Sequence, residues 1–228
     1  MKWHREHLPE PLPANPLAVG ADWLAEATAA GTQPNPNAMV LATVDATGQP
    51  SARVVLCKQI APEPGYLSFY TNYRSRKGRE LDSNPRAAIV MHWDALRRQL
   101  RVEGRVVQVP AIESDAYFAT RNWRSRLGAW ASQQSEPIAS RGELLRNVAK
   151  VALRFALPAT VSDEEAPDPG LRIARPPHWG GYQLWAEAVE LWVEGSARIH
   201  DRARWSRTLT PRDGGFDGGG WSATRLQP

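Results

Sequence analysis

Three stretches of the 228-residue chain gather cationic side chains with almost no acids among them. Between Arg53 and Arg79 lie Arg53, Lys58, Arg74, Arg76, Lys77 and Arg79, with Glu63 the one acid. Between Asp115 and Glu136 the charged residues are Arg121, Arg124 and Arg126. Between Arg198 and Arg207 stand Arg198, His200, Arg202, Arg204 and Arg207, with Asp201 alone opposing them. If they converge in space, such segments form a site for an anionic ligand; taken singly, each also matches a solvated face. Ser75-Arg76-Lys77 is the most specific of them. A serine there can cap a helix whose first N–H groups, with two cations beside them, suit a terminal phosphate monoester. In Arg198-Ile199-His200-Asp201-Arg202 a strand places Arg198, His200 and Arg202 on one face, where they repel unless something negative lies over them. Histidine can carry a proton at neutral pH, so His200 reads either as that carrier or as a hydrogen-bonding neighbour. Arg53 and Lys58 read as members of one strand. Their spacing puts them on opposite faces, so one site using both needs a twist, a bulge or an interface.

Other candidates are weaker. Cys57 reads as a packing residue. His92 and His178 have no partners at ligand spacing, no Cys/His cluster suits zinc, and no metal is expected. Most of the ten tryptophans read as packing; Trp192 is singled out because it leads into the Arg198–Arg202 segment. No glycine-rich phosphate loop of the Rossmann or P-loop type is present.

These residues need elements to hold them. Residues 16–30 have helical apolar spacing, with Pro16 suited to a first turn. Two β-rich segments flank the turn signal Asp45–Pro50 and predict a hairpin. A third strand covers 65–73, and a short capped helix follows until Pro85. Two more strands come next, with a bulge or bend at Glu103-Gly104. The middle reads as three helices, over 111–121, 125–135 and 140–156. The end returns to strands over 181–195 and 197–208, then a glycine-rich turn over 213–220 and a last segment, WSATRLQP. Strands, a helical insert and strands again predict an antiparallel α+β fold, mainly β, closing into a small barrel. Residues 1–15 are expected to form a flexible arm, residues 16–228 a single domain, and 156–177 an exposed loop within it.

Composition agrees: 42% hydrophobic and 23% charged residues describe an ordinary globular chain. The N-terminal MKWHREHLPEP carries charge where a signal peptide has an apolar core. No early apolar run spans a bilayer, and one cysteine makes no internal disulfide. A soluble cytoplasmic protein is the expectation. Only four of the 28 basic residues are lysines. A GC-rich genome produces that bias too, but arginine is also the better bidentate phosphate binder.

Five segments together, RVVLCK (53–58), FYTNYRSRKGRELDSNP (69–85), RQLRVEG (98–104), YFATRNWRSRLGAWASQQS (117–135) and WVEGSARIHDR (192–202), resemble the pyridoxamine 5′-phosphate oxidase family in order and spacing. The resemblance implies an FMN-binding split β-barrel homodimer with FMN at the subunit interface. It implies oxidation of pyridoxamine 5′-phosphate or pyridoxine 5′-phosphate to pyridoxal 5′-phosphate, with O2 as acceptor, hydrogen peroxide as product, and ammonia from the amine. By the same resemblance Arg53, Val54, Val55, Leu56, Cys57 and Lys58 line the flavin. Tyr70, Thr71, Arg76, Lys77, Gln99, Gln134, Ser135, Trp192 and Arg202 also match FMN contacts. Lys58, Tyr117, Arg121 and Ser125 match the substrate-phosphate pocket, and Arg198 and His200 match the pair that meets the substrate over the flavin ring. Two features depart from the family: the short arm has no tyrosine, and 156–177 is longer. Three rivals stand beside this reading. They are a related flavin oxidase for another ring, of the phenazine-pathway type; a non-catalytic FMN- or pyridoxal-phosphate-binding protein; and a nucleic-acid module. The last predicts steep salt dependence; neither nucleic acid nor membrane is the expected partner.

Overall fold

The computed structural model describes residues 7–155, 157 and 172–228. The chain divides into two compact units. One takes the described residues of Met1–Phe69, Glu80–Gln108 and Tyr182–Pro228; the other takes Tyr70–Arg79 and those of Val109–Gly181.

The first unit opens with α1 (Pro16–Ala30). Asn15 caps it by accepting from the Leu17 N–H at 3.0 Å, and Gly31 ends it at φ 61°. β1 (Ala38–Val44) and β2 (Pro50–Leu56) pair as the expected hairpin, from Ala38↔Leu56 to Val44↔Pro50. Asp45 Oδ1 accepts from the Thr47 and Gln49 N–H groups and fixes the turn. Then come β3 (Gln59–Ala61), β4 (Tyr66–Asn72), β5 (Arg86–Trp93), β6 (Arg98–Gln108), β7 (Trp179–Val193), β8 (Asp201–Ser206), β9 (Leu209–Arg212), β10 (Gly215–Gly218) and β11 (Ser222–Leu226). The main sheet runs β11-β8-β7-β6-β5-β1-β2, and β4 pairs with β3 and β7. The β1–β2, β1–β5, β5–β6, β6–β7, β7–β8 and β8–β11 ladders are all antiparallel. The register of β6 on β7 slips between Glu103 and Gly104, where the bulge was expected. A Cβ on Gly104 would lie 1.8 Å from the Trp185 carbonyl oxygen, so this close approach requires glycine. Leu41, Phe69, Ile89, Met91, Leu100, Val102, Leu184, Val189, Leu191 and Trp205 form the core, each large side chain contributing roughly 1.5–3 kcal/mol by burial.

The second unit receives the start of α2 (Arg76–Ser83) and holds α3 (Ala111–Thr120), α4 (Trp123–Ala131) and α5 (Arg141–Arg154). Phe118, Leu127, Ala152, Leu157, Ile173 and Trp179 make its core. Asn122 and Ser140 cap α4 and α5 by accepting from the Arg124 and Glu143 N–H groups.

Four expectations need correction. Lys58 is not on the strand of Arg53, since β2 ends at Leu56. The Cys57 N–H still donates to Asn37 O, but the Lys58 N–H donates to Ser68 O, so the chain changes partner strand there. The segment 197–208 is not one strand: Ser196–Arg198 form a tight turn and β8 begins at Asp201. The second middle helix starts at Trp123 and stops at Ala131, so Gln133–Ser135 lie beyond it. The glycine-rich 213–220 is mostly a hairpin: β10 pairs with β9 around Asp213-Gly214, with Phe216 buried. The expected arm falls in part, and the expected loop mostly, outside the described residues; within the arm, the Leu8 N–H donates to Asp201 Oδ2 at 2.6 Å.

Candidate functional site

The second unit builds a cation-lined cradle at the start of α2. Ser75 Oγ donates to Asn72 O at 2.7 Å and accepts from the Gly78 N–H at 3.3 Å, which makes it the cap that the sequence predicts. This aims the first N–H groups of α2 outward. Lys77 is buried, and its Nζ donates to Thr71 Oγ1 at 3.1 Å, Ser75 Oγ at 3.1 Å and Gln134 Oε1 at 2.9 Å. These three acceptors are neutral polar groups, and an ammonium beside hydroxyls and an amide suits an anion's charge. Thr71, Lys77 and Gln134 are thus brought together. Arg76 stands exposed at the first helical position. Ser135, next to Gln134, takes a left-handed φ of 77°, a conformation that costs energy in a non-glycine residue. A buried lysine, hydroxyls, an amide and a helix start form a donor set that fits the phosphate end of a flavin mononucleotide.

A second cationic feature lies in the same unit. The rings of Tyr70 and Tyr117 stack with centroids 4.0 Å apart, and both lie near-parallel to Trp179. Arg121 covers Trp179 with its Cζ 4.5 Å from the ring centroid. Its Nη1 is buried without a hydrogen-bond partner among the described residues. Burial pushes the Arg121 guanidinium below its ordinary value; Tyr117 opposes that, and Arg126 adds to it. Ser125 is exposed on α4. His178 bonds Ala129 O through Nε2 at 3.0 Å, a structural role.

The first unit holds the remaining candidates. Arg53 donates to Glu80 Oε2 at 3.0 Å and to Leu41 O at 3.3 Å, and bonds the hydroxyls of Thr43 and Ser51. Val54 and Leu56 point to solvent on the opposite face of β2, while Val55 is half-buried. Cys57 is buried with Sγ 3.2 Å from Gln59 O, and burial pushes its thiol up to about 12. Lys58 is exposed. Gln99, Trp192 and Arg202 fall in one row across β6, β7 and β8. Arg202 donates through Nε and Nη2 to Glu190 Oε1, and Arg101 Nη1 reaches Glu190 Oε2 at 3.1 Å. The Gly195 N–H donates to His200 Nδ1 at 3.2 Å, and the His200 ring lies 4.7 Å from Trp192. Arg198 is exposed at φ 65° in its turn, so it shares no strand face with His200 and Arg202.

The acids Glu80 and Glu190 escape a reading that looks only for cations. Each is almost fully buried and holds an arginine of the candidate set. Glu190 was detectable as one of two acids, with Glu187, in the apolar run of β7. Among the described residues no group of three or more His, Cys, Asp or Glu could hold a metal ion. No helix among them is long and apolar enough to cross a membrane.

An antiparallel barrel-like sheet interrupted by a helical insert with an anion cradle is the architecture of a split-barrel flavin-binding protein. The family model described as pyridoxamine 5′-phosphate oxidase matches residues 25–155. A second, described as the pyridoxine 5′-phosphate oxidase C-terminal dimerisation region, matches 179–228. The chain belongs to the pyridoxamine 5′-phosphate oxidase family. It is 47% identical over 197 residues to the pyridoxine/pyridoxamine 5′-phosphate oxidase of Paracoccus denitrificans, covering 85% of this chain and 82% of that one. It is 45% identical over 218 residues to that of Rhodospirillum rubrum, covering 94% and 96%. Among solved structures, PhzG from Burkholderia lata in complex with tetrahydrophenazine-1-carboxylic acid superposes with a TM-score of 0.78 at 29% identity, covering 96% and 95%. A pyridoxamine 5′-phosphate oxidase-related, FMN-binding protein from Nostoc punctiforme shares the fold with a TM-score of 0.65 at 19% identity, covering 92% and 96%.

Proposed function

We propose that this chain is an FMN-dependent oxidase that converts pyridoxamine 5′-phosphate or pyridoxine 5′-phosphate to pyridoxal 5′-phosphate. The observation that carries the reading is the buried Lys77 ammonium at the start of α2, held by the neutral oxygens of Thr71, Ser75 and Gln134. Bound FMN supplies two-electron oxidation of the substrate carbon and return of the electrons to O2. Pyridoxine 5′-phosphate plus O2 gives pyridoxal 5′-phosphate and H2O2; the amine also takes up water and releases ammonia.

In this reading Thr71, Arg76, Lys77, Gln134 and Ser135 hold the cofactor phosphate, while Tyr70, the 53–58 segment, Gln99, Trp192 and Arg202 hold the rest. Lys58, Tyr117, Arg121 and Ser125 anchor the substrate phosphate, which fixes the placement of the reacting carbon. Arg198 and His200 orient the ring, Arg198 as a cation and His200 through its imidazole. The family's C-terminal dimerisation region and the exposed Val40, Val54 and Leu56 on β1 and β2 support a homodimer.

The test is turnover. FMN-loaded protein mixed with pyridoxine 5′-phosphate should form peroxide and pyridoxal 5′-phosphate in equal amounts. The likeness to PhzG favours a second reading, a partly reduced tricyclic carboxylate as substrate. Peroxide from tetrahydrophenazine-1-carboxylic acid, and none from the vitamer, would select it. Bound ligand with no turnover of either would mark a carrier.

A further inference from the structure

Arg126 lies on α4 beside the candidate phosphate-pocket residue Ser125, and nothing in the resemblance gives it a role. Its Nε is buried without a hydrogen-bond partner among the described residues, as is Nη1 of Arg121. Among the described residues neither guanidinium enters an ion pair. Asp115, an acid of the same helical unit, is engaged at 2.7 Å by Arg175. Arg124 is a different case, since its guanidinium lies over the Trp123 ring.

The charge of Arg126 acts on Arg121, and each side chain has a buried and unsatisfied N–H, an unfavourable arrangement in the free protein. A ligand with several acceptor oxygens and two negative charges offsets both cations at once. A singly charged carboxylate offsets only one of the two cations. We propose that Arg126 is a second guanidinium of the substrate-phosphate pocket, binding a dianionic phosphate monoester together with Arg121. This rests on the substrate reading above and deepens it: the pair selects a phosphate monoester over a carboxylate-bearing ring.

The test uses the FMN-loaded protein and the variants Arg126→Met, which keeps the stem, and Arg126→Lys, which keeps the charge. With pyridoxine 5′-phosphate, Arg126→Met should raise KM about tenfold or more, the loss expected for a charge-assisted contact, with a smaller change in kcat. The inhibition constant of inorganic phosphate should rise in step, and Arg126→Lys should fall between. Binding of unphosphorylated pyridoxine should stay unchanged. KM and phosphate inhibition within twofold of the unsubstituted protein would overturn the proposal. So would equal weakening toward pyridoxine and its phosphate, which marks a structural role. A protein that oxidises no vitamer defeats the substrate reading, and thermal melting with inorganic phosphate then decides this one separately. A stabilising shift lost in Arg126→Met supports it; equal shifts, or none in either protein, refute it.

Discussion

Glu190 accepts from Arg202 on the neighbouring strand at 3.0 and 2.8 Å, through Nε and Nη2 on one carboxylate oxygen. Only 3% of the Glu190 side chain is exposed, and its other oxygen receives Arg101. An acid placed so deep is there to orient the arginines around it.

Glu190→Ala should therefore destabilise the fold by about 1–3 kcal/mol, the range for losing hydrogen bonds to a charged group whose arginine partners stay partly solvated. Urea unfolding followed by circular dichroism measures it. FMN titration should show weaker binding as well, because Arg202 loses the group that orients it.

Lys77→Met removes the buried ammonium and keeps the bulk. FMN affinity should fall by about 1.5–3 kcal/mol, the range for a charge-assisted contact. Quenching of flavin fluorescence on titration reads this directly. An unchanged dissociation constant would move the cofactor phosphate elsewhere.

Arg198→Ala should separate chemistry from cofactor retention. The exposed, left-handed Arg198 makes no side-chain hydrogen bond or ion pair among the described residues, so flavin content should hold while turnover falls roughly tenfold or more. Loss of flavin with full activity per bound flavin would reverse the assignment.

Glu103 gives a pH signature. Two hydrogen bonds from Arg204, at 3.1 and 2.8 Å, hold its carboxyl below the ordinary value of 4.5; burial opposes them, and the charges of Arg204 and Arg101 assist. A lowered folded value stabilises the protein fully above the unfolded value, and that contribution disappears as pH falls through the folded one. Glu103→Gln should flatten the acid limb of melting temperature against pH below about pH 5, leaving the neutral region's slope unaltered.

Much of this molecule can be read from short-range sequence. The Ser75 cap, the Asp45 turn and the Glu103-Gly104 bulge depend on residues a few positions apart, and each occurs where the pattern puts it. Non-local choices are different. Nothing in Cys57-Lys58 says that the chain trades β1 for β4 at that point. The Arg198 segment alternates like a strand but turns. A Cβ on Gly195 would meet Ile199 O at 1.7 Å, and closure that tight depends on a glycine three residues upstream of the pattern. The partners of Arg53 and Arg202 lie 27 and 12 residues away along the chain, invisible to any local window.

The placement of sulfur has one last consequence. Cys57, Met39 and Met91 are each at most 2% exposed, and the Cys57 thiol stays protonated far above neutral pH. An oxidase of the proposed kind releases hydrogen peroxide at its own surface with every turnover. Peroxide attacks thiolates and accessible thioethers first, and the described part of this fold offers it neither. Packing of the described sulfur atoms would thus shield such a catalyst from self-inflicted oxidative damage.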